Sequence, residues 1–574
     1  MAEKIKQLQQ FLRWFWQIAK IYFVSAAWWR SWGLLTIVLL FTVVSRPLGL
    51  QSAIYGAKIT TALSQKDFAA YKAALLISTG LLAGVILLAL SQSVIEQKFK
   101  LYWRQWLTNN FLDRYFKNRV FYSINSDKAI DNPDQRISQD ITAFIDQSLG
   151  YVLGLSGTLI GGFLYIGTLW NINNYLVFIA IGTAILQTLI SYLLGRVLTP
   201  LNFKSLEYEA DFRYSLVHVR NNSEAIAFYE GEAQERGEVG SRFSRLLSVL
   251  NAKILPNGAL SAFKFALSIL TNLICTLLLA PRYFNGEVEL GDFQLSVAAF
   301  GHVVGVFNWF SSNFNSLTQF AAVLKRLGSL EDYFIKQEKP IAKQAPSAVI
   351  ETIIEPRLVL SHLTVQTPDQ KRTLVTNLSA EVPDSEGILV MGASGLGKSS
   401  ILRAVAGLWH QGDGYIYRPA TTEMLFIPQR PYMVLGSLRK QILYPHTQQK
   451  FTDARLQEVL AQVNLGNLIE RVGGLDTVLD WADVLSLGEQ QRLGFARLFL
   501  HSPRYAVLDE STSALDVANE KHLYQMLRDD DITYISVGHR PTLIPYHQFV
   551  LEILGEGKWR LFPSDNAGAA IAFS

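Results

Sequence analysis

Residues 392–399, Gly-Ala-Ser-Gly-Leu-Gly-Lys-Ser, carry the strongest chemical signal in this 574-residue chain. The spacing GxxxxGK[ST] is that of a phosphate-binding loop, in which glycines let backbone N–H groups curl around phosphate oxygens with no Cβ in the way. Gly392, Ser394, Gly395, Gly397, Lys398, Ser399 and Ser400 are the candidate nucleotide contacts. Lys398 would bring a full charge to the β- and γ-phosphates, and the Ser399 hydroxyl would complete a Mg²⁺ shell. The same chemistry needs an acidic residue at the end of a buried strand, and residues 505–510, Tyr-Ala-Val-Leu-Asp-Glu, supply it. Asp509 would orient the metal shell. Glu510 is placed to polarise an attacking water, a general-base role worth ~10²–10⁴-fold. The implied chemistry is transfer of a phosphoryl group from ATP to water.

These groups need rigid supports. The apolar run 387–391 reads as a buried strand leading into the loop, and 400–407 reads as a helix whose N-terminus adds partial positive charge. Short strands at 357–363 and 374–382 precede the loop, and the C-terminal third alternates strand and helix, which implies an α/β nucleotide-binding domain.

The first 330 residues are of another kind. Hydrophobic residues make up 49% of the chain and charged residues 17%, and the mean hydropathy is +0.18, too apolar for an ordinary soluble protein. Apolar stretches near 31–53, 73–94, 149–170, 174–195, 259–280 and 294–320 are each about long enough to cross a bilayer. The connections 51–72, 171–173 and 281–293 are short and poor in Lys and Arg, whereas 95–148 and 197–258 carry about eight basic residues each. The positive-inside rule therefore puts both long loops, the N-terminus and everything after 330 in the cytoplasm. Residues 7–30 interleave Trp14, Trp16, Tyr22 and Trp28 with Arg13, Lys20 and Arg30, the pattern of an amphipathic helix at a membrane surface or packed on protein. The N-terminus lacks the short apolar core and small-residue cleavage site of a signal peptide. Cys275 is the single cysteine, so no intramolecular disulfide is possible.

The expected organisation is an N-terminal interfacial helix (1–30), a six-helix transmembrane domain with long cytoplasmic loops (31–331), a linker broken by Pro340 and Pro346 (332–349), and an ATPase domain (350–574). Polar residues within the spans are candidate pathway groups. Arg46 is foremost, since a centrally placed Arg costs about 2.5–3.5 kcal/mol on insertion scales. Lys264, His302, Asn308, Asn313 and Asn315 are weaker candidates, each of which could instead snorkel or hydrogen-bond between helices.

Five elements in order resemble the ABC transporter family. Beside the phosphate loop and the Asp509-Glu510 strand, Leu485-Ser486-Leu487-Gly488-Glu489-Gln490-Gln491-Arg492 looks like the ABC signature, Gln429 in Ile427-Pro428-Gln429 the Q-loop, Ser513-Ala514-Leu515-Asp516 the D-loop, and His539 the switch histidine. The resemblance implies an exporter-type α-helical transmembrane domain followed by an α/β P-loop ATPase domain. It also implies that two nucleotide domains pair head-to-tail, so that Ser486, Gly488 and Glu489 of one, with Asp516, meet the ATP bound at Lys398 of the other. Glu510, His539 and Gln429 would be catalytic, and Ser399, Gln429 and Asp509 would hold Mg²⁺.

With one nucleotide domain and six spans, the chain resembles a half-transporter that pairs with a second copy of itself. Asn132-Pro133-Asp134-Gln135-Arg136-Ile137, the stretch 222–229 and Ile427–Met433 with Gly436-Ser437-Leu438 are similar to the peroxisomal subfamily D half-transporters and to bacterial SbmA/BacA-type relatives. The resemblance offers acyl-CoA or fatty acids, peptides and cobalamin-like solutes as cargo, and a bacterial inner membrane, or an organelle membrane for a eukaryotic source, as location. Partners expected are ATP, the bilayer and the second copy; nucleic acid is not among them. An ATP-gated channel or sensor is the alternative, against which the intact Glu510 and His539 speak. Leu487 stands where the common signature has glycine, and no Phe or Tyr occupies 358–372, where many relatives stack an aromatic on adenine.

Overall fold

The computed structural model describes residues 2–127, 130–338 and 349–566. The chain divides into two units, Met1–Pro340 and Ile341–Ser574.

The first unit is helical: α1 (Ala2–Phe23), α2 (Trp28–Gln65), α3 (Phe68–Phe116), α4 (Val120–Asp127), α5 (Pro133–Gln135), α6 (Ile141–Ile172), α7 (Asn174–Asn221), α8 (Ser223–Phe228), α9 (Glu232–Phe284) and α10 (Leu290–Glu338). Tight turns between the long helices are made by capping side chains. Asp67 accepts from Ala69 and Ala70 N–H at the start of α3, and Asn173 accepts from Tyr175 N–H at the start of α7. Large apolar side chains such as Leu76, Leu87 and Phe163 point outward, as they do where the surrounding solvent is hydrocarbon and the helices satisfy their own backbone groups.

Among the described residues five helices are long and apolar enough to cross a membrane. The expected count of six spans is not matched exactly among these residues. The remaining long helix, α7, is continuous over 48 residues, and Asn174–Ile190 is its apolar part among the described residues. It carries the polar Gln187, buried and donating to Thr271 Oγ1 at 2.8 Å, and then Arg196.

Two further differences concern boundaries. The pattern of 7–30 reads as one surface helix, but α1 ends at Phe23, a turn follows, and α2 begins at Trp28. One face of α1 packs on protein. Trp14, Ile18, Ala19 and Tyr22 join a core with Phe99, Trp103, Phe144, Leu324 and Leu327, while Leu12 and Trp16 stay exposed. Tyr22 stacks on Trp103 with ring centroids 5.7 Å apart. The linker read from residue 332 begins later, because α10 continues to Glu338. Its last turns are held by Arg114, which bonds Glu331 at 2.7 Å and Glu338 at 2.9 Å. Pro340 and Pro346 lie outside the described residues.

The second unit has two sheets. Strands β1 (Glu351–Ile354), β2 (Leu358–Gln366), β3 (Thr373–Val382) and β5 (Gly412–Arg418) form one, in the order β1-β5-β2-β3. The other contains β4 (Gly387–Gly392), β6 (Met424–Ile427), β9 (Tyr505–Asp509), β10 (Thr533–Val537), β11 (Phe549–Gly555) and β12 (Lys558–Pro563), in the order β12-β11-β4-β10-β9-β6. Within it β11, β4, β10, β9 and β6 run parallel, and β4, β9 and β10 are almost wholly buried. Parallel strands with covered faces read as continuous apolar runs, which is why 387–391 and 505–508 are legible as strands. A two-residue ladder, β7 (Gly436–Ser437) with β8 (Val478–Leu479), ties short helices around Leu456, Leu460, Trp481 and Phe495 into a separate apolar core.

Candidate active site

The phosphate loop leaves β4 and enters the helix Lys398–Val405. Gly392, Gly395 and Gly397 have φ of +142°, +79° and +99°, values that L side chains resist. At Gly397 a Cβ would also lie 2.9 Å from Leu374 Cβ. Lys398 is buried at 5% exposure, and its ammonium donates to the carbonyls of Gly392 and Ala393 at 3.0 and 2.9 Å. Burial pulls the Lys398 pKa below the usual lysine value, and the nearby Glu510 and Asp509 carboxylates oppose that shift. Ser394 and Gly395 are exposed on the loop, and Ser400 follows on the helix with its N–H bonded to Gly397 O.

Strand β9 lies between β10 and β6, with β10 separating it from β4, and its terminal Asp509 reaches the start of the helix Lys398–Val405. The Ser399 hydroxyl donates to Asp509 Oδ1 at 2.9 Å. Burial raises the Asp509 pKa; the Ser399 bond lowers it, and the Glu510 charge adds to the rise. A hydroxyl and a carboxylate paired in this way are hard oxygen donors of the kind Mg²⁺ takes, and they fit that ion. Glu510 sits at φ +47°, in the left-handed region that non-glycine residues hold only when their surroundings enforce it. Its N–H is bonded to Val537 O at 3.1 Å. Its two carboxylate oxygens are claimed by different loops: Gln429 Nε2 donates to Oε2 at 2.9 Å, and His539 Nε2 lies 3.1 Å from Oε1. The three sequence-predicted catalytic residues therefore meet at one carboxylate.

Ser486, Gly488 and Glu489 of the signature have other contacts. Ser486 caps the helix Leu487–His501 in a reciprocal capping box with Glu489. Glu489 Oε2 accepts from Ser486 N–H at 2.9 Å, and its Oε1 accepts from Arg471 at 2.6 Å. Gly488 faces the D-loop; a Cβ there would lie 3.1 Å from Ala514 O. Asp516 caps the helix Val517–Asp529 by accepting from Asn519 N–H at 2.8 Å, which lowers its pKa. Among the described residues no hydrogen bond joins Ser486, Gly488, Glu489 or Asp516 to the phosphate loop of the same chain.

Three residues escaped the sequence reading. Gln491 is fully buried and joins the signature helix to the Q-loop and D-loop. Its amide donates to Gln429 O at 2.9 Å and Ser513 Oγ at 3.1 Å, and its carbonyl accepts from Ala514 N–H at 3.0 Å. The signal was available: Gln491 falls at helical spacing between Leu487 and Phe495, a polar residue on the buried stripe. Arg540, next to His539, donates to Leu515 O at 2.8 Å, Ser513 O at 2.9 Å and the buried Glu520 at 3.3 Å. Arg136, in the Asn132–Ile137 stretch of the first unit, is buried. It donates to Asp131 O, Arg326 O and Ser329 Oγ at 2.9, 2.6 and 2.6 Å, and pairs with the Asp131 carboxylate. In that stretch a helical turn starts at Pro133, Asn132 before it is left-handed with no side-chain cap bond, and Arg136–Asp140 is a turn of π-helix.

The polar residues of the spans also separate. Arg46 and His302 line one cavity. Lys264 is exposed on α9 and does not line it. Asn313 bonds Trp309 O one turn back at 2.8 Å, the ordinary helical outcome. The side chains of Asn308 and Asn315 lie outside the described residues. Glu224 is exposed on α8.

Two family models match: "ABC transporter transmembrane region 2" over residues 18–280 and "ABC transporter" over 375–513. An uncharacterized ABC transporter ATP-binding protein of Synechocystis is 41% identical, covering 94% of this chain and 82% of that one. The chloroplastic ABC transporter D family member 2 of Arabidopsis thaliana is 35% identical over 97% and 89%. A mouse protein named as a lysosomal cobalamin transporter is 30% identical over 97% and 96%. A bacterial Atm1-family ABC exporter with ATP bound shares the fold, with a TM-score of 0.73 at 17% identity, covering 93% of this chain and 96% of that one. The phosphate loop, the acid-ended strand and the signature helix thus occur in a chain matched along nearly its whole length, membrane unit included. The chain belongs to the ABC transporter family, in the line of its D-family half-transporters, and carries an ATPase domain coupled to transport across a membrane.

Proposed function

We propose that two copies of this chain make the working transporter, each closing the other's ATP site with Ser486, Gly488, Glu489 and Asp516. One observation carries the reading. Gln429, Glu510 and His539 converge within a chain, while among the described residues Ser486, Gly488, Glu489 and Asp516 make no hydrogen bond to their own phosphate loop. A site complete except for its lid is what a head-to-tail pair would finish.

In this reading the backbone N–H groups of 392–399 cradle the phosphates, and Lys398 exchanges its bonds to Gly392 O and Ala393 O for the β- and γ-phosphate oxygens. Ser399 and Asp509, with Gln429, would hold Mg²⁺, which when bound neutralises charge developing on the transferred phosphoryl group. Glu510 accepts the proton of the attacking water, kept in position by Gln429 and His539. The membrane is a bacterial plasma membrane with the ATPase domain on its cytoplasmic side, a placement supported by the basic long loops. The cargo is drawn from acyl-CoA or fatty acid, peptide and cobalamin-like solutes, the last supported by the printed name of the mouse relative.

The test is ATPase activity of mixed dimers in liposomes. Lys398→Ala and Ser486→Arg chains should each be inactive alone. Mixed, they should recover activity, because one composite site then has both an intact phosphate loop and an intact signature. No recovery sinks the head-to-tail arrangement. Hydrolysis by Glu510→Gln equal to wild type sinks the assigned base.

A further inference from the structure

We propose that Arg471 is a positioning residue for the signature: it holds Glu489 so that Ser486 is presented to the ATP of the other chain, and it masks the Glu489 charge from that ATP's phosphates. This rests on the head-to-tail reading above and deepens it.

The signature carries an electrostatic conflict. Ser486 precedes the helix Leu487–His501, so a phosphate reaching Ser486 would meet a helix N-terminus, where free N–H groups and the helix dipole favour an anion. Glu489 stands in the first turn of the same helix. Its Oε2 accepts from the Ser486 N–H at 2.9 Å and from the Ser486 hydroxyl at 3.1 Å. A carboxylate so close to Ser486 repels the triphosphate that Ser486 is to meet. It also competes with that phosphate for the hydroxyl hydrogen.

Arg471 relieves both conflicts. Its Nη1 donates to Glu489 Oε1 at 2.6 Å, a charge-assisted bond to the oxygen that does not touch Ser486. The Glu489 side chain is only 15% exposed, so solvent screens the pair less than it would an open surface pair. Burial raises the Glu489 pKa, but the bonds from Arg471 and Ser486 outweigh it and leave the pKa below the usual carboxylate value. Glu489 is therefore ionised, and Arg471 is the counter-charge. With Oε1 anchored, Oε2 stays on the Ser486 N–H, while the hydroxyl is free to turn its hydrogen from Oε2 to a phosphate oxygen.

Arg471 is itself anchored away from the signature. It lies on the short helix Leu468–Val472, ended by Gly473 at φ +83°. Leu468 of that helix is buried in the same apolar core as Leu485, Leu493 and Phe495. Among the described residues the Arg471 guanidinium bonds only Glu489, so its loss strikes the signature directly.

The test uses ATPase activity of the mixed dimer in liposomes, which has a single working composite site. There the Lys398→Ala chain gives the signature and the Ser486→Arg chain gives the phosphate loop. Arg471→Ala in the signature-giving chain should lower activity about tenfold, the worth of one charge-assisted contact. The same substitution in the loop-giving chain should lower it by less than about twofold, because that chain's signature takes no part. Equal loss in both placements, which a folding fault or a purely structural role would give, overturns the proposal. So does no loss in either. In the signature-giving chain Arg471→Lys, which keeps the charge but not the planar fork, should return activity to within about threefold of the parent mixture. Arg471→Met, which keeps the bulk alone, should not, and a Met variant as active as the Lys variant overturns the charge role. Failure of the head-to-tail reading is distinct, since it would show as an inactive parent mixture with Arg471 intact, and it would overturn this proposal with it.

Discussion

Gln491 Nε2 donates to the main-chain oxygen of Gln429 at 2.9 Å, so a fully buried side chain of the signature helix holds the loop that presents Gln429 to Glu510. The same amide grips the D-loop through Ala514 N–H and Ser513 Oγ. In a head-to-tail pair the signature of one chain would meet the other chain's ATP, and Gln491 would link that event to the chain's own Glu510 carboxylate. Gln491→Leu leaves the Gln429 carbonyl and the Ala514 N–H unpartnered, a cost of about 1–3 kcal/mol. We expect kcat to fall about tenfold with KM for ATP changed less than about twofold, the pattern of a lost transition-state contact. Steady-state ATPase assays decide it. A raised KM with kcat intact would show that the residue serves nucleotide binding instead.

Gln429 and His539 hold opposite oxygens of one carboxylate. Groups that act through a shared partner are non-additive. Gln429→Ala and His539→Ala should each lower kcat by about ten- to a hundredfold, and the double variant should lose clearly less than the product of the two. Full additivity in a double-mutant cycle would mean that the two side chains act on different parts of the reaction.

Much of this site is legible in the sequence because its local physics is strict. The positive φ angles at Gly392, Gly395 and Gly397 demand glycine, and a buried parallel strand demands the unbroken apolar run before Asp509. What is not legible is which side chains the fold brings together. Gln491 and Arg540 act through contacts across 62 and 27 residues of sequence, and nothing local marks them beyond a polar residue on an apolar stripe. The membrane unit shows the same division. Span existence follows from apolar length, but the docking of α1 depends on tertiary partners such as Gly328.

The docking of α1 gives a stability prediction. Trp14 donates its indole N–H to Asp332 at 2.9 Å, and a Cβ at Gly328 would come within 2.4 Å of its ring. Gly328→Ala therefore forces the indole off α10. The expected cost is about 1–3 kcal/mol, typical of overpacking, with α1 loosened first. Limited proteolysis in the turn 24–27, followed by mass spectrometry, should release α1 faster than from wild type. Unchanged cleavage with a lowered melting temperature would locate the damage in α10 instead.

His547 supplies a pH prediction for the ATPase domain. It is fully buried, with its ring 5.4 Å from Tyr524 and 5.1 Å from Tyr534. Nδ1 lies 2.8 Å from Leu543 O, so the neutral ring donates there, and Nε2 has no partner among the described residues. Burial pushes its pKa from 6.5 down to about 4, opposed by the Leu543 bond. The unfolded chain therefore binds the proton first as pH falls, so the stability contributed by this group is present above about pH 6.5 and is lost as pH drops toward about 4. Between about pH 7.5 and about pH 5.5 the loss amounts to about 1.4 kcal/mol, one pKa unit's worth. His547→Leu keeps an apolar filling and removes the titration. Scanning calorimetry of the full-length variant should show an ATPase-domain transition that shifts less over this pH range than in wild type. An equal shift in both proteins would assign the acid sensitivity to other groups.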